Sequence, residues 1–408
     1  MITSYPKSKF KILLLENISP GAVGIFKQHG YEHITYVKSS LSETELIEKI
    51  ADVHILGIRS KTQVTAKVLD AANKLLAIGC FCIGTDQVDA LAAMRKGIAV
   101  FNAPYSNTRS VAELVMGAAI MLIRRIPEKN KLTHEGVWMK DANESHELRG
   151  KTMGIVGYGN IGSQVSVLAE SFGMKVIYFD TQKKLPLGNA IEANSLYELL
   201  QHADVVTIHT PGDESTYNMI NKAAFTHFKK RAILINYARG EVVDLDALEA
   251  ALKKGVLSGA AIDVYPEEPA KNGDTFSCPL QQIPNVLLTP HIGGSTEEAQ
   301  VNIGLDVSHK LVQFAETGIT SGSLSIPELS LPVQARTHRI LHVHKNVPGV
   351  LSEINSILSD NGINILGQYL TTNAEIGYVV LDIGQEASKE ALYLLKHVKE
   401  TIKVRLLY

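Results

Sequence analysis

The chain is short of cysteine. Its 408 residues hold three, Cys80, Cys82 and Cys278. Cys80-Phe81-Cys82 is too tight for a zinc knuckle and no C-x-x-C occurs, so no metal site is expected. The three read as small buried thiols in a reducing compartment. Tryptophan appears once, at Trp138. Neither sign of charge predominates: the formal net charge is -2, which excludes the electrostatic footprint of a nucleic-acid binder. Long apolar runs are missing too. Ile12 to Leu15 falls below the ~7–15 residues of a signal core. Val111 to Ile123, interrupted by Glu113, falls below the ~20 residues of a membrane span. A cytoplasmic protein without membrane contact is expected. What is present, 45% hydrophobic and 20% charged residues, is ordinary globular composition, long enough for two or three domains.

The most informative stretch runs from Thr152 to Asp180. An apolar run, Met153 to Val156, leads into Gly157-Tyr158-Gly159-Asn160-Ile161-Gly162. A helical pattern follows, with Ile161, Val165, Leu168, Ala169 and Phe172 on one face. A second apolar run, Lys175 to Phe179, ends in Asp180. Strand, G-x-G-x-x-G, helix, strand and acid together form a dinucleotide-binding fingerprint. Gly157 permits the tight turn, Gly159 admits a pyrophosphate, and Gly162 lets helix and strand pack closely. The helix N-terminus offers N–H donors and a positive dipole end. Asp180 suits ribose hydroxyls and repels a 2′-phosphate, so NAD is expected rather than NADP.

Upstream, short apolar strands alternate with helical patterns from Phe10 to Phe101, the mark of a parallel sheet covered on both faces. Val111 to Arg125 reads as a buried helix. Glu128 to Arg149 reads as a polar, loop-like arm whose Trp138 suits a subunit contact. Strand–helix alternation resumes from Gly150 to Gly293, and Glu297 to Thr317 reads as a long helix. Gly318 to Thr337 is a Gly/Ser/Pro-rich linker. Beyond it the rhythm becomes βαββαβ, a ferredoxin-like plait. The expected class is therefore α/β: two Rossmann-like or flavodoxin-like parallel-sheet domains plus this C-terminal plait.

Three polar stations follow strands of the nucleotide-binding half, where ligands of open α/β sheets lie. The first is Asn236-Tyr237-Ala238-Arg239-Gly240, whose arginine fork suits a carboxylate. The second runs from Asp263 to Glu268 and Pro269. The third is Thr289-Pro290-His291-Ile292-Gly293-Gly294, where His291 suits general acid–base work by its ordinary pKa of ~6.5.

The ordered set G-x-G-x-x-G…D, N-x-x-R-G, D-V-x-x-x-E-P and T-P-H-I-G-G resembles the D-isomer-specific 2-hydroxyacid dehydrogenases over about residues 10 to 320, and the plait resembles an ACT domain. The resemblance implies a discontinuous substrate-binding domain (1–105 and 296–320), an NAD-binding domain (106–295), a linker (321–337) and an ACT regulatory domain (338–408). It implies a catalytic set of Arg239, Glu268 and His291. NAD contacts are implied for Gly157, Gly159, Asn160, Ile161, Gly162, Asp180, His209, Thr210, Pro211, Tyr237, Ala238, Arg239, Asp263, His291, Gly293 and Gly294. Arg59-Ser60-Lys61, Ile83-Gly84, Asn107 and Lys140 would bind the substrate, with 3-phosphoglycerate implied. His344, Asn346 and Asn364 would bind L-serine as effector, and a homotetramer is implied.

Three departures from the family pattern stand out. Tyr237 occupies a position usually small, and Lys61 one where arginine is common. Val333 to Arg339 lacks the paired glycines that serve relatives as a hinge. Two alternatives stay open on the sequence: a sister enzyme for 2-hydroxyglutarate or glycerate, and a non-enzymatic NAD-sensing protein on the same fold.

Overall fold

The computed structural model describes residues 5–269, 273–332 and 337–407. Two compact units emerge: residues 1–106 with 300–408, and residues 107–299.

The first unit opens with five parallel strands: β1 (Lys11–Leu14), β2 (His33–Tyr36), β3 (Ile55–Ile58), β4 (Ala77–Cys80) and β5 (Ala99–Asn102). Their order is β2-β1-β3-β4-β5. β3, β4 and β5 are buried at every position, as strands covered on both faces must be. Gly79 on β4 lets the helix Glu297–Thr317 lie close, since a Cβ there would come within 2.6 Å of Leu311 and 2.7 Å of Val307.

The second unit holds seven parallel strands: β6 (Thr152–Val156), β7 (Lys175–Phe179), β8 (Ile191–Glu192), β9 (Val205–Ile208), β10 (Ala232–Asn236), β11 (Leu257–Ile262) and β12 (Val286–Leu288). The order is β12-β11-β10-β9-β6-β7-β8, so the chain reverses direction across the sheet between β6 and β9. That crevice is where doubly wound sheets bind nucleotides. The helix Thr108–Ile123 covers this sheet, and Val111, Val115, Ala119 and Leu122 share a buried cluster with Ile155, Ile233 and Ile235.

Residues 337–407 form four antiparallel strands, β13 (Thr337–Lys345), β14 (Ile365–Thr372), β15 (Ile376–Gly384) and β16 (Thr401–Leu407), in the order β14-β15-β13-β16. The helices Val350–Asp360 and Ser388–Leu395 complete the plait. One face carries Ile340, Val379, Leu381 and Ile383 beneath those helices. The other face carries Leu341, Val343, Tyr378 and Val380, which share a core with Phe101, Val307 and Phe314. β13 and β15 are therefore buried on both sides, whereas β14 alternates.

Two segments depart from the sequence reading. Within the expected loop-like arm, Ile126–His134 is a helix. Arg125 turns through a left-handed conformation (φ 55°), and Pro127 then sits at the helix start, where its missing N–H costs nothing. The Gly/Ser/Pro-rich segment is also more than a tether. Ser325 Oγ donates to Ile98 O (2.7 Å) and accepts from Val100 N (2.9 Å), while Leu324 N donates to Val100 O (2.8 Å). These bonds lay it along β5, with Ile326 and Leu331 buried. Of the stretch without paired glycines, residues 333–336 lie outside the described residues.

Arg339 fastens the plait. It donates to both oxygens of Asp382 (2.7 and 2.9 Å), to Thr317 O (3.1 Å) and to Pro332 O (2.9 Å). The two side chains are 3% and 0% exposed, so neither charge has water to fall back on. Arg339→Met leaves a buried carboxylate unpaired and is expected to destabilise the chain by about 3–5 kcal/mol. A urea or thermal unfolding midpoint equal to that of the parent would refute this.

Candidate active site

The nucleotide-binding turn follows β6. Gly157 takes φ +90°, and a Cβ there would stand 2.7 Å from His209 O. At Gly162 a Cβ would stand 2.2 Å from Gly157 O, whereas at Gly159 it would meet nothing within 4 Å. Two positions thus forbid a side chain on grounds of packing, and the third leaves open backbone in front of the helix Asn160–Ser171. Asn160 and Ile161 are the first residues of that helix. Asp180, just past β7, accepts from Tyr158 N (2.8 Å) with one oxygen and Gln182 N (2.9 Å) with the other. These bonds fix the carboxylate at the edge of the turn and leave further lone pairs for a diol.

Across the crevice, after β9, His209 Nε2 lies 2.9 Å from Thr207 Oγ1. His209 Nδ1 and Thr210 Oγ1 are buried with no hydrogen-bond partner, and Pro211 follows them. Burial alone depresses the His209 pKa to about 3, so the ring is neutral. Buried polar atoms without partners are uncommon, and here they adjoin the glycine turn. Open glycine backbone, a helix start, a fixed carboxylate and two unsatisfied polar atoms together suit NAD.

The three polar stations end three neighbouring strands, β10, β11 and β12. After β10, Asn236 is fully buried and clamps the turn: Nδ2 donates to Arg239 O (2.9 Å), and Oδ1 accepts from Ala238 N (3.2 Å). Arg239 remains exposed, with Nη1 on Ala238 O (2.8 Å). Gly240 must be glycine, because a Cβ would lie 2.0 Å from Tyr265 C. Tyr237 is buried in the apolar cluster beside the helix Thr108–Ile123, and its phenol pKa is raised by burial and by nearby Asp263.

Asp263, after β11, is 1% exposed and accepts three hydrogen bonds. They come from Thr289 Oγ1 (2.5 Å), Ile292 N (2.8 Å) and Gly293 N (2.7 Å). Between the last two donors and β12 stands His291, in a left-handed conformation (φ 54°) unusual for a side chain of its size. Its Nδ1 lies 3.0 and 2.8 Å from the two oxygens of Glu268. Glu268 also accepts from Tyr265 N (3.2 Å). Both partners are half open to solvent, at 50% and 37% side-chain exposure. An imidazole steadied at Nδ1 by a carboxylate presents Nε2 as a proton donor or acceptor. Gly294 closes the loop, and a Cβ on it would meet Asn107 Nδ2 at 2.0 Å.

The other expected site residues fall in both units. In the first, Arg59, Ser60 and Lys61 follow β3, and Ile83 and Gly84 follow β4. Glu16, which sequence reasoning missed, organises the former: its buried carboxylate accepts from Arg59 N (3.2 Å), Lys61 N (3.0 Å) and Thr62 N (2.8 Å). A left-handed turn at Glu16 (φ 62°) and Asn17 (φ 54°) aims it there. Gln87 Nε2 donates to Arg59 O (2.7 Å), and Asn102 Nδ2 to Ile83 O (2.6 Å). In the second unit, Asn107 is buried with Oδ1 unpartnered, and Lys140 is exposed.

In the plait, His344 and Asn346 sit at the end of β13 and Asn364 just before β14. The register sets Lys345 opposite Ile376, but both Ile365 and His338 opposite Ile383. Within one chain Asn364 is thus about nine residues, or about 30 Å, along the sheet from Asn346. His344 Nδ1 bonds to Lys345 O (2.8 Å) and its Nε2 is buried without a partner. Asn346 donates to Asn373 O (2.7 Å), and Asn364 is exposed. Among the described residues no group of three or more His, Cys, Asp or Glu could hold a metal ion.

Comparison with known proteins defines the class first. Residues 116–293 match the family described as D-isomer specific 2-hydroxyacid dehydrogenase, NAD binding domain, and residues 340–404 match an AHAS small subunit-like ACT domain. A D-isomer specific 2-hydroxyacid dehydrogenase from Lactobacillus delbrueckii, solved in its NAD-complexed form, shares 27% identity at a TM-score of 0.67 over 75% of this chain and 97% of its own. D-3-phosphoglycerate dehydrogenase of Haemophilus influenzae is 52% identical over 405 residues, 99% of each chain. The enzyme of that name from Dictyostelium discoideum is 50% identical over 406 residues, 100% of this chain and 99% of its own. The chain belongs to the D-3-phosphoglycerate dehydrogenase family, within the D-isomer specific 2-hydroxyacid dehydrogenases, and is an NAD-dependent oxidoreductase.

Asp263→Ala strips two backbone donors and a hydroxyl of their acceptor, at a cost of about 1–3 kcal/mol for each group left unsatisfied. It should also free the His291 loop. Turnover is expected to fall although Arg239, Glu268 and His291 are untouched; steady-state kinetics with full parental turnover would refute the clamp.

Proposed function

We propose that the chain oxidises 3-phospho-D-glycerate to 3-phosphohydroxypyruvate, the entry step of L-serine synthesis. The observation that carries the reading is the Glu268–His291 pair, set on strand ends of the parallel sheet that also carries the dinucleotide-binding turn. The near full-length likeness to enzymes named for this substrate supports it. When bound, NAD supplies the acceptor for the hydride leaving C2. His291 Nε2 takes the proton of the C2 hydroxyl as the C2–O bond becomes a carbonyl. The Glu268 carboxylate stabilises the imidazolium that forms. Arg239 holds the substrate carboxylate and polarises the developing carbonyl.

Arg59, Lys61 and Lys140 bind the phosphate, and the N–H groups of Ile83 and Gly84 receive the carboxylate. In this reading residues 1–105 and 296–320 form the substrate-binding domain, 106–295 the NAD-binding domain, 321–337 the linker and 338–408 the regulatory domain. L-Serine bridges two chains, touching His344 and Asn346 of one and Asn364 of the other; the separation of these residues along a single sheet supports that arrangement. The assembly is a homotetramer, and Trp138, 80% exposed, suits one of its contacts. Among the described residues no helix is long and apolar enough to cross a membrane, which fits a cytoplasmic enzyme.

NADH absorbance with 3-phosphoglycerate, with and without L-serine, tests the proposal. His291→Ala is expected to lower kcat by ~10²–10⁴-fold. Arg59→Ala is expected to raise KM for 3-phosphoglycerate with little change in kcat, because it removes binding rather than chemistry. An unchanged KM would reassign the substrate to a D-2-hydroxy acid without phosphate. Unchanged kcat in the histidine variant would remove His291 from the mechanism.

A further inference from the structure

A cavity in the first unit lies away from these loops, between the first sheet and the plait. It measures about 810 Å³. Tyr31 and Leu76 line it from the first domain, and Leu392 and Leu407 from the plait. Its charged lining is mostly cationic, alongside the neutral polar groups of Tyr5, Tyr31 and Asn73. Lys74 comes from the first domain, and Lys396, Lys403 and Arg405 from the plait. Among the described lining residues Glu316 is the only carboxylate, and it is already held by Lys7 (2.6 Å) and His29 (3.2 Å).

Two of the cations are poorly compensated. The Arg405 guanidinium lies 5.4 Å above the Phe314 ring and donates Nη2–H to Ala315 O (2.9 Å), but its Nη1 is buried with no partner. Lys403 Nζ donates to Leu75 O. Burial, with Arg405 and Lys96 nearby, brings the Lys403 pKa down to about 7. Buried cations without counter-charge are costly, and an entering anion would relieve that cost.

We propose that this cavity is a binding site for a small polyanion, a molecule bearing two or more carboxylate or phosphoryl groups. The anion sits between Lys74 on one wall and Lys396, Lys403 and Arg405 on the other. Binding cross-links the plait to the first domain through charge. The site is separate from His344, Asn346 and Asn364, none of which lines it.

Isothermal titration of the full chain at fixed ionic strength tests this, with citrate in one arm and inorganic pyrophosphate in the other. At least one of the two is expected to bind saturably and to raise the thermal midpoint. The double variant Lys74→Ala/Lys396→Ala should lose at least tenfold in affinity while its basal turnover stays unchanged. Arg59→Ala/Lys61→Ala should keep the parental affinity. Arg405→Leu should abolish binding; where that variant fails to fold, the two exposed lysines still decide. Citrate alone would assign the carboxylate class, and pyrophosphate alone the phosphoryl class. No saturable binding of either, or equal affinity in parent and lysine variant, would overturn the proposal.

Discussion

The candidate active site depends on the buried carboxylate of Asp263. Its oxygens gather the side chain of Thr289 and the N–H groups of Ile292 and Gly293, so the residue just before these two N–H groups has little choice of conformation. That residue is His291, held in a left-handed turn that costs of order 1–3 kcal/mol and persists only where its surroundings enforce it. The turn brings Nδ1 onto Glu268, which β11's own loop supplies. A side chain with one evident charge thus works through geometry: it converts the ends of two adjacent strands into one preorganised acid–base pair.

The same economy recurs in the first unit. Glu16 leaves its strand through a left-handed turn and collects the N–H groups of the segment that carries Arg59 and Lys61. In both places a carboxylate on one strand end fixes the loop of another, and the cationic or basic side chain is left free to face a ligand. Asn236 clamps the turn of its own strand with an amide, and that turn carries Arg239.

The features legible in the sequence are those whose physics is local. Gly157 marks a turn in the left-handed region and Gly162 a close approach to a carbonyl five residues back, and a strand–helix–strand pattern needs no distant partner. Loop residues with chemical character after β10, β11 and β12 could be picked out because parallel sheets place all such loops on one edge. Glu16 escaped notice because its partners lie 43 to 46 residues away and nothing in LLLEN distinguishes a clamp from a solvated acid. The helix Ile126–His134 escaped because it is polar and has a proline in its first turn, which reads as a breaker until the left-handed residue before the helix is known. The segment along β5 looked like a tether because serine and glycine favour loops; its bonds to Ile98 and Val100 come from the tertiary fold.

The plait's sheet is hydrophobic on two faces and has helices of its own for only one. The second face shares its interior with the helix Glu297–Thr317 and the first sheet. Proteolytic nicking ahead of β13 would therefore not liberate an autonomous regulatory module beside an intact remainder. The plait would bare a strip of leucine, valine and tyrosine and the remainder one of phenylalanine and valine, both prone to self-association and visible to chaperones. Gene fusions or deletions that treat the C-terminal seventy residues as a detachable cassette would meet the same obstacle.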